Sequence, residues 1–215
     1  MYCDYFKLIT HPFLDGNYFN NIRLLAAQDF IRQTLNQGGI AIIGGNKGVG
    51  KTRLAHEIAR ESQRKVLNLS AAAVNDADKE SLGQLLACCF HLKKWRTLST
   101  SILPLRIAEF FGQTENTAQP WLIVVDNAEN LCAESYEFLR TFKSYPQSSR
   151  ISFLLVEERK GISVEGKGCR KPFPHTDYHL LPMSFTETSE YLSQRLQSAG
   201  AVSYTHLTLP TTERV

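Results

Sequence analysis

The apolar residues of this chain fall into runs of two kinds. Ile40-Ala41-Ile42-Ile43, Trp121-Leu122-Ile123-Val124-Val125 and Ile151-Ser152-Phe153-Leu154-Leu155-Val156 are short and nearly unbroken. Such runs suit strands covered on both faces, as in a parallel sheet. Lys65-Val66-Leu67-Asn68-Leu69 alternates and predicts another strand, and Tyr178 to Leu181 predicts a short last one. Between them the spacing is helical. Ile22 to Leu35 carries Leu24, Leu25, Phe30, Ile31 and Leu35, and Gly38-Gly39 stops it. Arg53 to Gln63 places Leu54, Ile58 and Ala59 on one side. Asp78 to Leu92, Leu105 to Gly112 and Ala133 to Ser144 follow the same rule. Ser184 to Ala199 is a last helix, capped by Ser184 or Thr186 with Glu187 or Glu190 near its start. Residues 113–119 and 157–177 are polar and predict loops. Residues 1–20 are rich in aromatics, and Pro12 argues against a long helix, so an extended leader is expected there. Strands alternating with helices predict an α/β fold, a parallel sheet flanked by helices on both faces.

One polar stretch interrupts this pattern in a way that carries chemistry. Gly45-Asn46-Lys47-Gly48-Val49-Gly50-Lys51-Thr52 fits G-x-x-x-x-G-K-[ST], and it sits between a predicted strand and a predicted helix. Glycines let the backbone approach phosphates closely. The N–H groups of the loop and the helix N-terminus favour an anion. Lys51 is the expected partner of the β and γ phosphates of a nucleotide, and the Thr52 hydroxyl of Mg2+. Such a loop needs an acidic partner for the metal at the end of a nearby apolar strand. Asp126, directly after Trp121–Val125, fits.

Composition narrows the class further. The chain has 215 residues, and 43% of them are apolar, as in a globular α/β domain. A net charge of +3 gives no direct nucleic-acid signal. No apolar run reaches the ~20 residues of a membrane helix. Cys3, Cys88, Cys89, Cys132 and Cys169 form no CxxC pair and read as reduced thiols, which points to the cytoplasm. His175 and His179 read as surface or strand-edge histidines rather than metal ligands.

The leader, the phosphate loop, the strand ending in Asp126, the strand Ile151–Val156 and the segment Tyr178 to Leu196 together resemble an AAA+ ATPase. The resemblance covers about residues 1–200. It is nearest to bacterial ATPases of the general secretion pathway and of type IV pilus biogenesis, through Met1, Tyr2, Phe6, Pro12 and Phe13 of the leader. Related members serve transposition. The resemblance implies a P-loop NTPase core over 21–182 and the beginning of a small helical lid over 183–201. It also implies ATP and Mg2+ as cofactors, homo-oligomers or other protein subunits as partners, and an envelope or secretion machine as the client. It puts the leader and first helix near the base, where Tyr18 and Phe19 are candidates to stack although they read more simply as core packing, and it makes Arg195 the one candidate present for a sensor arginine.

The departures from the family concern hydrolysis. The family usually has Asp-Glu-Ala-Gln where this chain has Asp126-Asn127-Ala128-Glu129. Asn127 orients a water but takes no proton, and general-base help is worth ~10²–10⁴-fold. Glu129 is the candidate substitute. Glu157-Glu158 stand where a polar sensor of the γ-phosphate is usual, and a carboxylate there would repel phosphate unless turned away. Lys167, Arg170 and Lys171 are the nearest basic residues to the usual trans arginine, and they read more simply as a solvated loop. The expected activity is ATP hydrolysis, impaired at Asn127. A non-hydrolysing ATP-binding switch and an ATPase regulator of transposition are the alternatives. A nucleotide kinase shares the loop but would need a lid of clustered arginines. The text Val202 to Thr211, VSYTHLTLPT, resembles a translated sequencing adapter. Residues 202–215 are therefore expected to be a scar and the natural protein to continue past Ala201, which resequencing the locus tests.

Overall fold

The nearly unbroken apolar runs take the middle of one parallel sheet. In a computed structural model, which describes residues 22–71, 81–113, 119–159 and 173–199, five strands form it. They are β1 (Ile40–Gly45), β2 (Lys65–Ser70), β3 (Trp121–Asp126), β4 (Ile151–Glu158) and β5 (Thr176–His179). Their order is β2-β3-β4-β1-β5, and each neighbouring pair is parallel. β1, β3 and β4 are interior, so their side chains are buried on both faces. β2 and β5 are edges and are half-exposed, which is why β2 alternates in sequence.

Six helices accompany the strands among the described residues: α1 (Ile22–Asn36), α2 (Lys51–Glu61), α3 (Leu82–Cys89), α4 (Leu103–Gln113), α5 (Ala133–Phe142) and α6 (Phe185–Ser198). One sheet face carries Ile40, Ile42, Ile123, Val125, Phe153 and Leu155, packed with Leu86, Ile107, Phe111, Leu139 and Phe142 of α3, α4 and α5. Strand residues of the other parity, Ala41, Ile43, Leu154 and Val156, are equally buried, on the side of α1 and α2. Residues 22–182 form one compact unit. The described part of a second unit is residues 183–199, which holds α6.

Several boundaries differ from the sequence reading. α2 starts at Lys51 rather than Arg53, because the last two motif residues already form its first turn. α3 runs from Leu82, capped by a reciprocal Ser81–Gln84 box, and stops at Cys89 rather than Leu92 because His91 and Lys94 take left-handed backbone. The last strand is Thr176–His179 rather than Tyr178–Leu181, since its partner β1 offers pairing only along Ala41 to Gly44. Of the caps considered for α6, Ser184 and Glu187 form the box. The leader, the start of the helix expected from Asp78, residues 160–172 and the tail fall outside the described residues. With them go Tyr18, Phe19, Lys167, Arg170 and Lys171.

The N-terminal edge of the sheet is tied by a half-buried cation. Lys143, just past α5, donates from Nζ to the carbonyls of Gly38 at 2.5 Å, Ile151 at 2.6 Å and Ser148 at 3.3 Å. Burial, and secondarily the charge of Arg64, push its pKa down from 10.5 to about 8. Below pH 8 the amine is charged in both the folded and unfolded chain, and the burial cost is fully felt. Between 8 and 10.5 only the unfolded chain still holds the proton, so stability rises with pH. The wild type should therefore gain on the order of 2 kcal/mol relative to Lys143→Met between pH 7.5 and 10. Denaturant unfolding at the two pH values checks this, and a constant difference would contradict it.

Candidate functional site

The phosphate loop leaves the sheet at the C-terminal end of β1 and turns directly into α2. Gly45, its first residue, is the last of β1. A Cβ there would lie 2.5 Å from the Leu180 carbonyl oxygen, so only glycine fits. Asn46, Lys47 and Gly48 are exposed, and Val49 is half-buried beneath them. Gly48 and Gly50 take φ of 81° and 97°, a region side chains avoid, and nothing stands within 4 Å of where their Cβ atoms would be. The loop is thus an open cradle lined by backbone. Lys51 Nζ donates to the carbonyls of Gly45 at 2.9 Å and Asn46 at 2.8 Å, folded back over the loop it would serve.

The strand order brings the second half of the site to the first. β4 separates β1 from β3, yet the Thr52 hydroxyl at the start of α2 donates to Asp126 Oδ2 at 3.1 Å, with Oδ1 at 3.3 Å. Asp126 is the last residue of β3 rather than the first after it. A hydroxyl and a carboxylate side by side are the hard oxygen donors that Mg2+ selects, with room for waters. The residues present therefore fit a magnesium–nucleotide complex.

Asn127 and Glu129 part company. Asn127 has φ 55°, in the left-handed region, and its amide donates to Ser70 Oγ at 3.2 Å on β2. Glu129, on the short 3-10 turn Ala128–Asn130, accepts the backbone N–H of Glu158 at 2.9 Å. Its carboxylate therefore sits against the tip of β4, between the two halves of the site in strand order.

Of the two glutamates expected where a phosphate sensor is usual, Glu157 turns its carboxylate to a partner instead. Glu157 is buried and paired with Arg159, and Glu158 offers its backbone to Glu129. Arg159 also donates to Asp177 Oδ2 at 2.7 Å. Burial works against the charge of Arg159, but the Asp177 hydrogen bond and the charges of Glu157 and Asp177 outweigh it and raise its pKa. Arg159 was not legible as a site residue. The only signal was an arginine in the charged run Glu157-Glu158-Arg159-Lys160 that ends a strongly apolar stretch. Arg195 lies on α6 in the second unit, with its guanidinium 5.4 Å from the Tyr191 ring centre.

A family model described as AAA domain matches residues 33–162. The chain belongs to that AAA domain family. The matched span runs from α1 past Arg159 and includes both halves of the site. No curated protein matches the sequence. Among solved structures, the AAA domain is similar to the Walker-type ATPase of Pyrococcus abyssi, with TM-score 0.56 and 12% identity over 87% of this chain and 60% of that one. It is similar to the Aeropyrum pernix ORC1 protein in complex with DNA, with TM-score 0.57 and 15% identity over 87% and 52%. Cdc6p from Pyrobaculum aerophilum gives TM-score 0.57 and 13% identity over 89% and 54%. At these identities the likeness is one of fold. The chain spans between 52% and 60% of the length of these three structures. No helix among the described residues is long and apolar enough to cross a membrane.

The backbone at Asn127 gives a direct check on this site. Asn127→Ala should cost about 1 kcal/mol of stability, because alanine resists the left-handed region. Asn127→Gly, free of that strain, should cost less. Denaturant midpoints of the two variants compare them.

Proposed function

We propose that this AAA domain binds ATP with magnesium at the loop Gly45–Thr52 and hydrolyses it slowly. The observation that carries the reading is the Thr52–Asp126 hydrogen bond across β4, beside an open glycine loop and Lys51. In this reading the N–H groups of Asn46 to Lys51 cradle the phosphates. Lys51 exchanges the carbonyls of Gly45 and Asn46 for phosphate oxygens. Thr52 and Asp126 hold magnesium, which when bound neutralises phosphate charge.

Slow turnover is supported by Asn127. Its side chain is engaged with Ser70, and an amide takes no proton from a water. In this reading Glu129, whose carboxylate accepts the Glu158 N–H at the tip of β4, exchanges that partner for the water and serves as the base. A water attacking the γ-phosphorus would lose its proton to Glu129 as the bond to the ADP oxygen breaks. Glu129 stands on a 3-10 turn rather than at the strand end, which supports slow rather than fast turnover in this reading.

The client machine is read from the leader and the Tyr178–Leu196 segment, whose resemblance favours assembly of a secretion or envelope machine by a homo-oligomer or with other subunits at the cytoplasmic face of a membrane. A second reading, an ATP-dependent switch acting on DNA, as in regulation of transposition, is favoured by the similarity to an ORC1 protein solved with DNA.

Titration calorimetry with ATP and magnesium tests the site. The wild type should bind, and Lys51→Ala should weaken binding by ten- to a hundredfold, about 1.4–2.7 kcal/mol. Glu129→Gln should lower turnover by about 10–10²-fold with ATP affinity unchanged, while Asn127→Ala should change turnover only a few-fold. Turnover unaffected by Glu129→Gln would sink its role as base. No heat of binding would sink the reading itself.

A further inference from the structure

Gly44 stands one residue ahead of the phosphate motif, and the motif does not explain it. Nor does backbone freedom, since Gly44 is absent from the positive-φ glycines Gly38, Gly45, Gly48 and Gly50. The space above it does. A Cβ on Gly44 would come 2.8 Å from both Cδ and Nε of Arg159 and 3.0 Å from Cζ. The arginine side chain lies where a side chain at position 44 would need to be.

Arg159 is held there from both sides. Its guanidinium donates to Glu157 of β4 and, at 2.7 Å, to Asp177 of β5. Glu157 is level with Gly44 in the sheet and Asp177 with Ile42, so the row Glu157–Arg159–Asp177 crosses β1 from one neighbour to the other. The backbone of Arg159 adds a second tie. Its N–H donates to the Gly45 carbonyl at 3.0 Å, the same oxygen that accepts Lys51 Nζ at 2.9 Å. On the other edge, the Leu180 N–H donates to the Gly44 carbonyl at 2.8 Å.

We propose that Arg159 is a positioning residue for the phosphate loop, acting as a strap that fixes the Gly44–Gly45 hinge from which the loop leaves β1. This rests on the nucleotide-binding reading. When Lys51 turns from the Gly45 carbonyl to a phosphate, the Arg159 N–H keeps that carbonyl paired, so the loop keeps its shape. The guanidinium holds β4 and β5 against β1 at the same point, so the cradle is already set before nucleotide arrives. Arg159 need not touch the nucleotide for this.

A double-mutant cycle read as ATP affinity, by calorimetry with magnesium on the full chain, tests the strap. Arg159→Ala removes it. Gly44→Ala displaces it while keeping every charge. Each should weaken ATP binding by about tenfold, and in the Arg159→Ala background Gly44→Ala should cost less than about twofold, because the space is then free. A structural role unconnected with the loop would not produce this coupling in affinity. Wild-type affinity in both single variants, or penalties that simply add, overturns the proposal while leaving nucleotide binding intact. Wild-type protein that does not bind ATP overturns both. If Arg159→Ala does not fold, Arg159→Thr, which suits a strand end and also frees the space above Gly44, takes its place in the cycle with the same expected and overturning results.

Discussion

Everything in this molecule's site depends on the strand order β2-β3-β4-β1-β5. A parallel sheet aligns the C-terminal ends of its strands along one edge, and this order sets β4 as the spacer between β1 and β3. The gap is one strand wide. It is bridged by α2, whose first turn carries Thr52 to within hydrogen-bonding distance of Asp126. The buried runs of β1, β3 and β4 hold that spacing fixed, because a one-residue slip in any of them would exchange the side chains packed on the sheet's two faces and spoil both.

The tip of β4 then becomes the crowded part of the site. It supplies the Glu158 N–H to Glu129, the Glu157 carboxylate to Arg159, and the Arg159 N–H to the loop. The acidic pair that looked hostile to phosphate is thus partly spent on structure. One carboxylate is neutralised by an arginine, and the other residue contributes backbone. Asn127, in the position where the family's glutamate is usual, is committed to Ser70 and to left-handed backbone. This is what supports the proposal of slow turnover.

The sheet, its parallel sense and most helices were legible because buried strands and amphipathic helices leave different periods in the sequence. The loop and its pairing with Asp126 were legible because the motif is contiguous and Asp126 closes a strongly apolar run, and the Thr52–Asp126 hydrogen bond brings the two together. The helix starts and the last strand were less so, since they are set by where partners end: β5 by the reach of β1, α2 by the motif itself. Gly44 and Arg159 were not legible. Their relation spans more than a hundred residues and consists of one side chain occupying the space of a missing one. Nothing local in sequence marks such a pair. The destination of Glu129 was hidden for the same reason, because it is decided by a backbone N–H on another strand.

The account's central claim is that the loop, Thr52 and Asp126 form one magnesium–nucleotide site. Thermal unfolding of the full chain tests it most directly. Ligand at a hundred times its dissociation constant stabilises by about 2.7 kcal/mol, which for a chain of this size raises the midpoint by about 5–10 °C. The account predicts such a rise with ATP and magnesium, and a smaller one when EDTA removes the metal. A midpoint that does not move with ATP and magnesium would contradict it.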